Sequence, residues 1–276
     1  MTNDNTPTMG AIPPILLVGC GRMGSAMLSG WREQGLAPSV AVDPSPSAAS
    51  FAGPDMMVVA DVSEIPAGFS PAAVVLAVKP QNAAATLPAY ARFAANTVFL
   101  SIMAGRTIGG IGALLGSSAA IVRAMPNTPA AVRQGVTVGC PSPNVSTQQK
   151  ALCDRLLQAI GKVAWVEDEA LLDPVTAVSG SGPAYVFLLA ELMEQAAIEQ
   201  GIPPDLARLL ARQTVSGSGA LLGASPEDAA ALRVAVTSPG GTTAEALSVL
   251  MNPDVWPVAM SRAIAAATRR SRELAG

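Results

Sequence analysis

The segment Ile15-Leu16-Leu17-Val18-Gly19-Cys20-Gly21-Arg22-Met23-Gly24 decides the fold, because an apolar run leads directly into Gly-x-Gly-x-x-Gly. In this motif the first glycine permits a tight turn, the second lets the backbone approach a pyrophosphate, and the third lets the following helix pack closely against the strand. The first N–H groups of that helix form an anion site. We therefore interpret the segment as the strand, turn and helix start of a dinucleotide site.

The residues after the motif support this interpretation. A helix-compatible segment extends to Gln34, Gly35 is typical of a helix stop, and a second strand, Ser39–Val42, ends at Asp43. Asp43 follows Gly24 by 19 residues, where an acid usually binds the adenosine ribose hydroxyls. The alternative is a turn residue before a proline.

Composition limits the class of protein. The 276 residues are enough for two domains, and half of them are hydrophobic with a net charge of −3, which favours a compact soluble protein over a nucleic-acid binder. No run approaches the roughly 18 uninterrupted apolar residues of a membrane helix. Because Met1–Gly10 lacks a basic and then apolar pattern, we expect a cytoplasmic protein. We interpret Cys20, Cys140 and Cys153 as reduced packing residues without metal-ligand spacing.

The sequence contains no histidine. This excludes Ser-His-Asp and Cys-His nucleophiles, the usual zinc sites, and the histidine acid of many hydroxy-acid dehydrogenases. Any proton must come from Lys, Thr, Tyr, Asp, Glu or water. We assign no metal ligands.

The first domain is predicted over residues 1–168, with 1–13 as a disordered tail. Alternating strands and helices imply right-handed crossovers and a parallel sheet, with ligands at the carboxyl ends of the strands. A helix with a kink at Pro88 is predicted over 82–92. The predicted strands are Ile15–Val18, Ser39–Val42, Met57–Ala60, Ala73–Val78, Thr97–Ile102, Ala120–Arg123 and Gly135–Val138.

The second domain, residues 169–276, is predicted to be helical. Its apolar segment Pro183–Ala190 has no polar face, so a helix there needs cover on every side. We expect this cover from a second subunit, and the alternative is burial inside one large monomer. The predicted helical runs are 169–178, 183–200, 204–222, 226–236, 241–251 and 254–273.

Two features of the first domain allow two interpretations each. Lys79, one of only three lysines, ends the fourth strand on the expected cofactor edge, and it is either a cofactor contact or a solvated strand-end charge. Asn127 and Thr128 lie between two prolines and form either a loop near the nicotinamide or a rigid turn.

Two small-residue segments precede helices in the second domain. Within Thr237–Glu245, the two glycines and two threonines of Gly240–Thr243 lie at a helix start, which suits a carboxylate or phosphate. The alternative is an ordinary N-cap with Glu245 as the capping acid. The same ambiguity applies to Ser179–Tyr185.

Taken together, these segments resemble the pyrroline-5-carboxylate reductase family, in family order and at family-like spacing. The resemblance implies NAD(P)H-dependent reduction of 1-pyrroline-5-carboxylate to L-proline. It also implies a Rossmann-type α/β domain followed by an all-α dimerisation domain, and often rings of dimers. The matching pieces are Gly19–Gly24, Ala77-Val78-Lys79-Pro80-Gln81, Met125-Pro126-Asn127-Thr128-Pro129, Ser179–Tyr185 and Ser238–Thr243.

The resemblance places the glycine motif and Ala77–Pro80 on the cofactor and Ser238–Thr243 around the substrate, with Thr243 near the ring nitrogen. We assign catalytic roles to Thr243 and Lys79. The predicted substrate residues are Ser181, Ser238, Gly240, Gly241, Thr242 and Thr243. The predicted cofactor residues are Gly19, Cys20, Gly21, Arg22, Met23, Gly24, Asp43, Ala77, Val78, Lys79, Pro80 and Asn127.

The sequence departs from the family on the adenosine side. An asparagine often found ahead of a short helix is missing from Asp61-Val62-Ser63-Glu64. Many members also lack an acid equivalent to Asp43 and favour NADPH, so the cofactor is either NADP or NAD.

Two other functions remain open at this point. A dehydrogenase of the 3-hydroxyacid type would place a lysine in the helical domain, yet Lys79, Lys150 and Lys162 all precede it. A non-catalytic NAD(P)-sensing module would need no anion-binding helix start at Ser238–Thr243. The missing histidine favours a cyclic imine, which can bind already protonated and accept hydride without a strong acid.

Overall fold

The computed structural model describes residues 11–275. Residues 1–10 of the predicted tail lie outside the described residues. The prediction of disorder is wrong for the end of the tail, because Ile12 is fully buried and forms a bridge with Leu36. Its N–H donates to the carbonyl of Gly35 at 3.0 Å. The ordered chain therefore begins before the first strand.

The first compact unit runs to Gly180 and includes the residues from Arg269 onward. It contains one eight-stranded sheet with the order β3-β2-β1-β4-β5-β6-β7-β8. The strands are β1 (Ile15–Val18), β2 (Ser39–Val42), β3 (Met56–Val59), β4 (Ala73–Leu76), β5 (Val98–Ser101), β6 (Ala120–Met125), β7 (Gly135–Pro141) and β8 (Gly161–Trp165).

The Rossmann-type fold class is confirmed, with one departure from a fully parallel sheet. Every strand pair is parallel except β6 and β7, which are antiparallel. The link between them, residues 126–134, is too short for a helical crossover, which takes a dozen or more residues. Strand β8 was not predicted, because its burial alternates between half-buried and exposed and it lacks a continuous apolar run.

Helices cover both faces of the sheet. Trp31 packs on one face and its Nε1 donates to the carbonyl of Leu156 at 2.8 Å, while Tyr90 and Ile111 pack on the other. Pro88 cannot donate an i→i−4 hydrogen bond, and the helix predicted over 82–92 is divided into short segments. The helices are α1 (Arg22–Glu33), α2 (Ala83–Thr86), α3 (Ile108–Leu115), α4 (Thr147–Gln158) and α5 (Leu172–Val175), with 3-10 turns at Pro46–Phe51, Val62–Glu64, Pro80–Asn82, Leu87–Phe93, Thr128–Val132 and Glu169–Leu171 and a π-helical turn at Thr176–Gly180.

The second compact unit, Ser181–Thr268, is entirely helical, as predicted. The last helix continues into the first unit, where Ser271 Oγ donates to Asp173 Oδ1 at 2.7 Å. The predicted helix over 169–178 is instead the 3-10 turn, α5 and part of the π-helical turn. The helices of this region are α6 (Gly182–Glu199), α7 (Pro204–Ala224), α8 (Ala229–Ala235), α9 (Thr242–Leu250) and α10 (Trp256–Ala275).

Helix α6 leaves its apolar residues uncovered. The exposed fractions of Val186, Phe187 and Leu188 are 46%, 66% and 51%. The alternative of burial inside one monomer is therefore wrong. The stretch Glu169–Glu199 is long and apolar enough to span a membrane by length and composition alone. It has 31 residues, its most apolar 18-residue window has a mean hydropathy of 1.3, and 6% of that window is buried.

Candidate active site

The glycine turn after β1 has the geometry that a pyrophosphate site requires. Gly19 has φ +97°, and a Cβ there would lie 2.8 Å from the carbonyl oxygen of Ala77. A Cβ at Gly24 would overlap the carbonyl oxygen of Gly19. At Gly21 nothing lies within 4 Å of the Cβ position. Gly19 and Gly24 thus permit close packing, and Gly21 leaves space for a ligand.

Helix α1 begins next to that space without a side-chain cap. Its N-cap is Gly21, and the first turn contains no acid. Arg22, the first helical residue, is exposed. The N–H groups at the helix start therefore remain available to an anion.

A cavity of about 490 Å³ extends from this turn along the carboxyl ends of β1, β2, β3 and β4. Its walls come from the first unit alone. The lining residues are Val18, Gly19, Gly21, Val42, Asp43, Pro44, Ala60, Asp61, Val62, Ala77, Val78, Lys79, Asn82, Ala85, Thr86, Ala89 and Tyr90.

Asp43 makes the contacts of a turn residue and also lines the cavity. Its Oδ1 accepts the N–H of Ser45 at 2.8 Å, as in a turn, and its Oδ2 accepts the N–H of Cys20 at 2.6 Å. The carboxylate therefore braces the glycine turn from the end of β2. The hydroxyls of Ser45 and Ser47 lie 2.8 Å apart and bond to each other.

Lys79 is exposed at the mouth of the cavity, as the N-cap of the 3-10 turn Pro80–Asn82. Ala77 and Val78 also line the cavity. Pro80 does not, and its carbonyl accepts the Nε–H of Arg106 at 2.9 Å. The position fits a cofactor contact for Lys79 and leaves Pro80 as a support of the turn.

Asn127 is not among the residues that line the cavity. It is buried, and its Oδ1 accepts the N–H of Val136 at 2.9 Å. This bond spans the link between β6 and β7. The contact supports the rigid-turn interpretation of Asn127, and its assignment to the cofactor stays a prediction.

In the second unit, the segment before α9 forms a turn open to solvent. Gly240 has φ +67°, and the N–H of Gly241 donates to the carbonyl of Ser238 at 3.0 Å. Gly241 is the N-cap and makes no side-chain bond, so the alternative of a cap completed by Glu245 is not realised. The amides of Thr242 and Thr243 therefore lack helical acceptors. Ser181 similarly precedes α6 without a side-chain cap.

Sequence reasoning missed one wall of the cavity. Tyr90, which is 2% exposed, is its largest member, and burial with the charge of Asp61 raises the pKa of this phenol to about 12. The sequence could have indicated this wall, because its residues recur at i, i+3, i+4, i+7 and i+8, the spacing of one helix face. The residues at that spacing are Asn82, Ala85, Thr86, Ala89 and Tyr90.

Comparisons with known proteins divide the chain in two parts. The family model described as pyrroline-5-carboxylate reductase dimerisation matches residues 169–274. The model described as NADP oxidoreductase, coenzyme F420-dependent, matches residues 14–105, which include the glycine turn. A pyrroline-5-carboxylate reductase from Pseudomonas aeruginosa is 38% identical over 267 residues, covering 95% of this chain and 97% of that protein. The chain belongs to the pyrroline-5-carboxylate reductase family.

Solved structures of pyrroline-5-carboxylate reductases agree with this assignment. The enzyme from Coxiella burnetii has a TM-score of 0.88 at 32% identity, covering 95% of this chain and 98% of that one. A pyrroline carboxylate reductase from Plasmodium falciparum, solved with NADP bound, has a TM-score of 0.79 at 28% identity over 95% and 99% of the two chains. The resemblance drawn from the sequence motifs is confirmed.

Proposed function

We propose that this protein reduces 1-pyrroline-5-carboxylate to L-proline with NAD(P)H, the last step of proline biosynthesis. The observation that carries the proposal is the near-complete alignment with pyrroline-5-carboxylate reductases, which extends over 95% of this chain. A sensing module that shares only the nucleotide-binding fold would not be expected to match the dimerisation model over residues 169–274. A 3-hydroxyacid dehydrogenase is likewise not favoured.

The first unit fits the cofactor. The open space at Gly21 and the uncapped start of α1 suit a pyrophosphate, and Asp43 suits the adenosine ribose. When bound, the reduced nicotinamide supplies the hydride that the imine carbon accepts. Lys79 binds the nicotinamide ribose or assists a proton relay. Asn127 holds the loop after β6 through the N–H of Val136, and its contact with the cofactor stays a prediction.

The second unit supplies the substrate contacts. The amides at the start of α9, from Gly241 to Thr243, bind the substrate carboxylate, and the exposed Ser238 and positive-φ Gly240 shape the turn around it. Ser181 contributes from the start of α6. The Thr243 hydroxyl holds the ring nitrogen and fixes the orientation of the imine. A cyclic imine carries its own proton when bound, and orientation then replaces the strong acid that this histidine-free chain lacks.

The protein acts as a homodimer. The dimerisation model covers residues 169–274, and the second unit has an apolar cavity of about 290 Å³ between α6 and α10. Exposed residues such as Val186, Leu188 and Met260 line this cavity and need cover, as does the exposed Phe187 of helix α6. A second copy provides it, and further contacts join the dimers into a ring. The functional domains are residues 1–168 and 169–276, and the protein resides in the cytoplasm, which suits its three buried free thiols.

The test is NAD(P)H oxidation with pyrroline-5-carboxylate, run beside pyrroline-2-carboxylate and small hydroxy-acid couples. We expect fast oxidation with pyrroline-5-carboxylate alone. Preference for a hydroxy-acid couple would instead assign the chain another dehydrogenase activity. Cofactor binding without turnover of any substrate would favour a sensing module.

A further inference from the structure

Two carboxylates line the cofactor cavity, and only one of them is the acid usual at the end of the second strand. Asp43 follows β2, and Asp61 follows the neighbouring strand β3. The strands pair in parallel with Val42 opposite Val59, and the N–H of Asp43 donates to the carbonyl of Val59 at 3.0 Å. The register therefore brings both acids to one edge of the sheet.

A capping box holds the Asp61 side chain. Its Oδ1 accepts the N–H of Ser63 at 2.9 Å and the hydroxyl of Ser63 at 2.7 Å, while Glu64 Oε1 accepts the N–H of Asp61 at 2.9 Å. The Ser63 hydroxyl lowers the pKa of Asp61, so this exposed carboxylate is ionised at neutral pH. The bonds fix its position relative to the cavity.

The groups around Asp43 and Asp61 do not offset the two negative charges enough to favour a bound phosphate. Lys79 is the one basic residue among those that line the cavity. Arg92, near Asp61, donates to the carbonyl of Val62 at 3.3 Å and lies 4.9 Å over the ring of Phe93. The hydroxyls of Ser45 and Ser47 bond to each other. A 2′-phosphate, with a charge of about −1.5 to −2 at pH 7, would meet two carboxylates here.

We propose that Asp61 is a specificity-determining residue that excludes the 2′-phosphate of NADP(H) and selects adenosine with free ribose hydroxyls. This inference rests on the proposed cofactor use. Its role differs from that of Asp43, because Asp43 also braces Cys20 in the glycine turn and its loss disturbs the binding of both nucleotides. The Asp61 side chain bonds within its own short helix and not to the glycine turn, so its loss leaves that turn intact.

The test is the dissociation constant of NADH and of NADPH, measured by nucleotide fluorescence without substrate. In Asp61→Asn the side-chain oxygen still accepts the N–H of Ser63, so the cap remains. We expect NADPH to bind about tenfold more tightly, as loss of one nearby like charge predicts, while NADH binding changes little. Asp61→Ser, which also keeps a capping oxygen, is expected to give the same shift.

Glu64→Gln is the matched control, because it removes one charge from the same turn, keeps the acceptor for Asp61, and does not line the cavity. We expect it to leave both dissociation constants unchanged. An unchanged NADPH-to-NADH ratio in both Asp61 variants, or an equal shift in Glu64→Gln, would overturn the proposal. Since no substrate is present, this result is separate from the outcome of the pyrroline-5-carboxylate assay.

Discussion

Lys79 shows how far a single residue can be interpreted from sequence. Its rarity and its place after a buried strand predicted the cofactor edge, and the structure puts it at the cavity mouth. Asn127 was also assigned to the cofactor, and this stays a prediction, because the structure shows only that its amide oxygen accepts the N–H of Val136. A sequence motif does not show which group a side chain will contact, so Lys79 and Asn127 received the same assignment to the cofactor.

If the Lys79 ammonium contacts the cofactor, Lys79→Ala loses a charge-assisted hydrogen bond. We expect NAD(P)H affinity or turnover to fall by one to two decades, corresponding to about 1.5–3 kcal/mol. The melting temperature should change little, because the side chain is exposed. Lys162→Ala, which removes an exposed lysine from β8, is the control. Unchanged kinetics in Lys79→Ala would support the alternative interpretation of Lys79 as a solvated charge at the end of the strand.

The three thiols are expected to be unreactive in the native protein. Burial, with the charges of Asp43 and Asp154, raises the pKa of Cys20 to about 11 and that of Cys153 to about 12. Burial also raises the pKa of Cys140. The thiolates of Cys20 and Cys153 therefore form only at strongly alkaline pH, and that of Cys140 forms less readily than the thiolate of a free cysteine. Alkylation with iodoacetamide at pH 8 should be slow until denaturant exposes all three, and fast native labelling would contradict this.

At the scale of elements, apolar runs located most of the buried strands to within two residues, although β7 extends three residues beyond its predicted end. They did not predict β8, whose exposed edge gives a weak pattern, or the antiparallel pairing of β7, which depends on the length of a link. Short capped turns were also missed, although the box Asp61-Val62-Ser63-Glu64 has a recognisable signature. Local sequence predicts an element well when burial is continuous along it.

The start of α9 can be tested as an element. A Cβ at Gly241 would lie 3.1 Å from the carbonyl oxygen of Ser238, and a branched side chain would cover the free amides. We expect Gly241→Val to weaken pyrroline-5-carboxylate binding and remove competition by L-proline, while NAD(P)H binding persists. Equal loss of both ligands would indicate misfolding of the turn.

Thr243→Val tests the hydroxyl of the same helix turn at nearly constant shape. We expect kcat/KM to fall more than the melting temperature, because the hydroxyl orients the ring nitrogen. Thr147→Val, at the exposed start of α4, controls for the general effect of valine at a helix start. If Thr243→Val melts at a lower temperature but keeps normal kinetics per folded molecule, the start of α9 is a structural cap and not a substrate site.

At the scale of the whole molecule, the exposed apolar surface of α6 predicts the assembly. We expect Phe187→Glu to place a charge in the dimer interface and to yield monomers or aggregates by sedimentation equilibrium. Met57→Glu changes a comparably exposed residue, 51% against 66%, on the edge of the sheet and should leave the dimer intact. A stable, active Phe187→Glu monomer at low concentration would contradict the proposal.

The order of the chain through the two units also limits how the protein can be divided. The polypeptide leaves the first unit after Gly180 and returns at Arg269, where Ser271 bonds Asp173 and Leu274 lies against Gly105. A chain truncated after Gly180 therefore lacks the residues from Arg269 onward that belong to the first unit. A version that replaces residues 181–268 with a linker keeps residues 269–276 and is the better design for studying cofactor binding in isolation.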